Sequence, residues 1–183
     1  MPTTKNEPEL SRPLFVDKIS AGGLQEHIVA RASECEALAK RFGLIAINRL
    51  EAFVNVDHAQ SRMLHVTGNV QADVVQACVV TLEPVPAYVK EKIDILFAPP
   101  GLLKREGEGP IPNVGDSDLP ETIENGMIDL GELAAQYLAL GLDPYPRKDG
   151  ASLDSFKDQS GKTTVTPFAG LKDAFDKLKK TDS

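Results

Sequence analysis

A chain of 183 residues, 42% hydrophobic and 26% charged, lies in the globular range and is long enough to bury one ordinary core. Aromatics supply 5% and tryptophan is absent, so that core is aliphatic. Lys and Arg number 20 against 27 Asp and Glu, a formal net charge of -7, which excludes general, sequence-independent attraction to polyphosphate and leaves only local or partner-shared contact with nucleic acid.

Cys35 and Cys78 stand far apart in apolar patterns and read as buried reduced thiols, which implies a cytoplasmic setting. The opening MPTTKNEPELSR has no apolar h-region, and no uninterrupted apolar run reaches the roughly 18 residues needed to span a bilayer. Residues 1–12 are polar and aperiodic, a flexible arm, and residues 13–183 are expected to form one domain.

Leu14 to Ile19 reads as a short strand that turns at Gly22-Gly23 into a second strand, Leu24 to Ala30, as a first hairpin. Ser33 with Glu36 forms a capping box, and the helix it opens places Cys35, Leu38 and Phe42 on one face before stopping at Gly43. From Ile45 the period becomes two. Ala46, Leu50, Ala52, Val54 and Val56 alternate with Arg49, Glu51, Asn55 and Asp57 up to a polar turn at 58–61. Leu64, Val66, Val70 and Ala72 then alternate with His65, Thr67, Asn69, Gln71 and Asp73, and Gly68 on the inner side marks a bulge or bend. The even phase continues through Cys78, Val80 and Leu82 to a reversal at Glu83-Pro84. Val85, Ala87, Val89, Ile93, Ile95 and Phe97 form the inner face of the return strand, with Glu91 as the exception. Tyr88, Lys90, Lys92 and Asp94 face outward.

Residues 99–126 are rich in Gly, Pro and charge and form a long mobile loop. Asp129 caps the next helix, Glu132 takes the capping-box position, Leu130, Leu133, Ala134, Tyr137 and Leu138 form the stripe, and Gly141 ends it. DPYPRKDG is a proline-fixed turn, 149–166 a flexible segment, and Thr166-Pro167 opens a last helix bearing Phe168, Leu171, Phe175 and Leu178. The fold class is α+β: a mostly antiparallel, strongly bent sheet or partly closed β-barrel with about three helices packed against it.

The motifs with chemical potential are few. Ser160-Gly161-Lys162-Thr163 imitates the tail of a P-loop, but Phe156 stands where the pattern needs glycine and no buried strand precedes it. His27, His58 and His65 lack metal-ligand spacing with each other and with the cysteines, and paired carboxylates such as Glu106 and Glu108 sit in the loop. The expectation is therefore no catalytic residue, metal or cofactor. Two groupings set a stacking ring beside phosphate-seeking charge: Tyr88, Lys90 and Lys92 on one strand face, and Tyr145, Arg147 and Lys148 in the proline turn. These six are the candidate RNA-binding residues.

Three stretches, QACVVTLEPVPAYVKEKIDILFAP, IDLGELAAQYLALGLDPYPRKDGA and TPFAGLKDAF, together with the helix SECEALAKRFGL, resemble the YceD family of large ribosomal RNA subunit accumulation proteins in its alphaproteobacterial form. The resemblance implies Cys78, Leu82, Pro84, Asp129, Leu130, Pro144, Pro167 and Phe168 as structural family-motif positions. It also implies a cytoplasmic, non-enzymatic factor for 23S rRNA accumulation and large-subunit assembly, whose partner is rRNA precursor or an assembly intermediate. The alternative partner is a basic ribosomal protein, chaperoned without contact to RNA. Many relatives carry a second cysteine three residues after the first. Thr81 occupies that place here, which removes a Cys-x-x-Cys pair and argues against metal or redox chemistry.

Overall fold

The computed structural model describes residues 8–103 and 120–151. Internal contacts divide the chain into two units, 1–150 and 151–183, and every described element belongs to the first. In order these are β1 (Pro13–Phe15), β2 (Leu24–Val29), α1 (Ala32–Phe42), β3 (Ala46–His58), β4 (Leu64–Ala77), β5 (Pro84–Ala98), α2 (Pro100–Leu103), β6 (Glu121–Thr122), β7 (Met127–Asp129) and α3 (Leu130–Leu140).

The long alternating runs become β3, β4 and β5, which pair as successive antiparallel neighbours in a five-stranded sheet of order β2-β3-β4-β5-β6. Even positions of β3 and β4 and odd positions of β5 build the core. Leu50, Val54, Val56, Leu64, Val66, Val70, Val74 and Ile93 are all buried on the face that receives α1 and α3, where Leu38, Leu130, Leu133 and Leu138 meet them. The fold is α+β, but the expected barrel does not close. Closure requires the two edge strands to pair along their length, and here the edges are a six-residue and a two-residue strand while helices cover the inner face.

Gly68 is the point of closest approach between strands. It pairs with Val54 on one side and Ile93 on the other, and a Cβ there would overlap the Phe53 carbonyl oxygen and stand 3.1 Å from Val54 Cα. The bend expected at this residue is thus a backbone contact that only glycine permits.

Local readings near the ends of elements needed revision. The first hairpin is not formed: β1 pairs with β7, Leu14 opposite Ile128, and only β2 joins the large sheet. The capping of α1 lies two residues early, with Glu34 rather than Glu36 accepting the Arg31 N–H at 2.7 Å. Gly43 does end the helix, with φ +67. Residues 8–12, part of the expected flexible arm, are tied down. Leu10 is wholly buried, and the Ser11 hydroxyl and Arg12 N–H donate to the Asp129 carboxylate at 2.6 and 2.7 Å. The Arg12 guanidinium forks onto Glu34 and holds its carboxyl below the usual range. Asp129 also caps α3 through Gly131 and Glu132 N–H groups, as expected. Glu132 itself turns to Arg41 at 2.7 Å and clasps α1 to α3. The final helix with Pro167 and Phe168, most of the segment 149–166, and residues 104–119 of the long loop lie outside the described residues. Among the described residues, no helix is long and apolar enough to cross a membrane.

Candidate nucleic-acid interface

Helices cover one face of the sheet, and among the described residues no element packs on the other. The registers arrange that open face in rows: Glu51, Gln71 and Lys90; His27, Phe53, Asn69 and Lys92; Gln25, Asn55, Thr67 and Asp94; and Arg49, Asp73 and Tyr88. Side chains alternate across a strand, so the phase that buries the core also projects these groups outward together.

The structure brings together Tyr88, Lys90 and Lys92 on this face, all exposed. It adds neighbours that the sequence reading did not single out. The His27 imidazole stacks on Phe53 at 4.1 Å between ring centroids. The Tyr88 hydroxyl donates to Gln71 Oε1 at 3.0 Å, and Gln71 Nε2 donates to Asn69 Oδ1 at 2.9 Å. The signal for Phe53 was its position, an aromatic in the outward, polar phase between Glu51 and Asn55.

Charge on the face is balanced, not basic. Lys92 Nζ pairs with Asp94 at 2.6 Å and holds that carboxyl low, with help from a hydrogen bond to His65 at 2.8 Å. Arg49 pairs with Asp73 at 2.9 Å and Glu51 at 3.5 Å. Lys90 makes no ion pair among the described residues.

Tyr145, Arg147 and Lys148 form no contact with the first trio. They lie on a strap, residues 143–148, that crosses the tip of the β4–β5 hairpin. Gln76 Nε2 donates to the Asp143 carbonyl at 2.8 Å, the Val79 N–H to the Pro146 carbonyl at 2.9 Å, and Lys148 Nζ pairs with Glu83 at 3.1 Å. Tyr145 is 71% exposed. The hairpin turn leaves the strand at Cys78, so Leu82 points outward with φ +60 and is 75% exposed, an apolar side chain displayed where the even phase would have buried it. Pro84 begins β5 and Pro144 lies in the strap. Leu130 is core, as the motif reading implied.

Cys78 sits beneath the strap with no solvent exposure, though its cover is thin, since Val79 and Lys148 above it are exposed. The Thr81 side chain, then the Lys148 and Thr81 N–H groups, donate to its sulfur and bring the thiol down to about 6; both N–H contacts are 3.4 Å. Folding therefore gains stability as pH rises from about 6 toward the ordinary 9.0, and loses it as pH falls through about 6. Despite its thiolate character, Cys78 is expected to react slowly with iodoacetamide at neutral pH. Opening the strap by Gln76→Ala with Pro146→Gly should accelerate peptide-mapped alkylation about tenfold or more. Equal rates before and after would refute the strap as its cover. Cys35, whose thiol is pushed up by burial in the α1 stripe, should stay inert in both.

A groove of about 800 Å³ opens beside α3, bordered by Pro8, Pro13, Glu121, Glu124 and Leu133 as well as Asp129 and Glu132. Those last two carboxylates are engaged in the cap and the Arg41 clasp.

A family model described as large ribosomal RNA subunit accumulation protein YceD matches residues 66–179, well over half of the chain and most of the open face. No curated protein and no solved structure matches.

Proposed function

This chain belongs to the YceD family of large ribosomal RNA subunit accumulation proteins, and on that premise we propose that it supports 23S rRNA accumulation without catalysis, in the cytoplasm. It does so by binding rRNA precursor, or an early large-subunit assembly intermediate, on the open face of its sheet. One observation carries the reading. Three long strands and the shorter β2 leave an open face that sets Phe53, Tyr88, Lys90, Lys92 and four side-chain amides side by side, the mixture of stacking surface, local cation and hydrogen-bonding groups that takes up unpaired bases.

The non-catalytic reading is supported by two carboxylates of the α3 groove, Asp129 and Glu132, which are engaged in the cap and the Arg41 clasp. A second reading has its own support. Asp73, Asp94 and Glu51 share the face with the cations, and the net charge of -7 favours a basic ribosomal protein as the occupant.

Salt separates the two by what is titrated. Binding of purified protein to 23S rRNA fragments should weaken with added salt at a log–log slope of about -1.4 to -1.8, set by two phosphate contacts. Salt-independent or absent binding to RNA, with a stable complex to one basic ribosomal protein instead, would replace the first reading by the second.

A further inference from the structure

The relay that begins at Tyr88 does more than decorate the open face. A side-chain amide carries one acceptor and one two-proton donor, and Asn or Gln reads adenine by using both ends, accepting from N6 and donating to N7. Here each acceptor end already holds one partner, which leaves it a single lone pair. Tyr88 Oη donates to Gln71 Oε1 at 3.0 Å, which turns the Gln71 nitrogen toward Asn69, and Gln71 Nε2 donates to Asn69 Oδ1 at 2.9 Å. The protons left for a ligand are both on Asn69 Nδ2 and the second on Gln71 Nε2, three donors against one remaining lone pair on each amide oxygen.

We infer that this donor-rich edge makes the open face a subsite for an unpaired guanine in single-stranded RNA, an inference that rests on the RNA reading above. Guanine presents O6 and N7 as adjacent acceptors, whereas adenine places an amino donor at the position of O6. The surroundings suit a nucleotide. Phe53 is the cross-strand partner of Asn69, 41% exposed and backed by the His27 ring, so it offers apolar surface beside the base edge. Lys90 is the cross-strand partner of Gln71, which puts a cation within one row of the amides for the attached phosphate. The close approach of Gly68 to the Phe53 carbonyl fixes the spacing of the two strands that carry the ring and the amide. Toward the guanine edge Tyr88 is a positioning residue, acting through its hydroxyl on Gln71, while its ring stays free for a neighbouring base.

The test uses the full chain and short oligouridines carrying one central guanosine, adenosine or 7-deazaguanosine. The guanosine oligomer should bind about tenfold tighter than the adenosine one at fixed salt, and 7-deazaguanosine, lacking N7, should forfeit most of that advantage. Tyr88→Phe frees the Gln71 amide to rotate and should bring the guanosine-to-adenosine ratio close to unity while leaving the salt slope unchanged, a separation that mere damage to the face would not produce. Asn69→Asp replaces donors with acceptors and should invert the preference. Equal binding of guanosine and adenosine oligomers by the native chain, with Lys90→Glu still weakening both, overturns the inference and leaves the RNA reading standing. If Lys90→Glu has no effect on either oligomer, both fall.

Discussion

Replacing Lys90 and Lys92 together by glutamate is expected to lower affinity for 23S rRNA fragments on the order of a hundredfold and to flatten the salt slope by about 1.4, the share of two phosphate contacts on a single strand. Both side chains project from β5 on the face opposite the core, so the fold should be untouched and thermal unfolding unchanged. The reversal acts on charge that is already finely balanced. Arg49 and Lys92 are held by carboxylates, and Lys90 is the cation of the face with no ion pair among the described residues; two added carboxylates beside Asp73 and Asp94 would leave a field that repels a polyanion. Filter binding or fluorescence anisotropy across a salt series measures both quantities. An unchanged affinity with unchanged slope would move any RNA contact away from this face.

Gly68→Val should cost about 3 kcal/mol or more of unfolding free energy, with Gly68→Ala somewhat less, because the new Cβ must displace backbone and not a yielding side chain. The atoms in its way are the Phe53 carbonyl and Val54 Cα, in the middle of the β3–β4 pairing. For a chain of this length that loss corresponds to a fall in melting temperature of roughly 6–12 °C. Denaturant titration and calorimetry would both register it. A change below about 0.5 kcal/mol would mean that β3 and β4 separate easily at this point, and the spacing of Phe53 and Asn69 would lose its anchor.

The parts of the fold legible in the sequence are those where a period persists. Thirteen residues of β3, 14 of β4 and 15 of β5 give alternation enough cycles to identify strands, faces and neighbours, and the outward phase of β5 delivered Tyr88, Lys90 and Lys92. Short elements carry no such record. The β1–β7 pair has three residues on each side, separated by more than a hundred positions, and is set by where Asp129 must cap α3 and receive the Ser11 and Arg12 donors. Leu10 is a lone apolar residue in a polar stretch, so its complete burial left no periodic trace. Leu82 continued the inward phase on paper, yet the strand had ended at Ala77 and the turn rotates the side chain into solvent. The amide relay was invisible for a different reason. Alternation places Asn69 and Gln71 on the outer face, but the direction in which each amide points depends on a hydroxyl from another strand.

The reading of the open face as an RNA surface is tested most directly by ultraviolet crosslinking of the protein to RNA in growing cells, followed by identification of both the crosslinked peptides and the RNA. The expected result is crosslinks at Phe53 and Tyr88 to large-subunit rRNA precursor. Crosslinks confined to residues of the helical layer, or a face that joins only to protein, would contradict it.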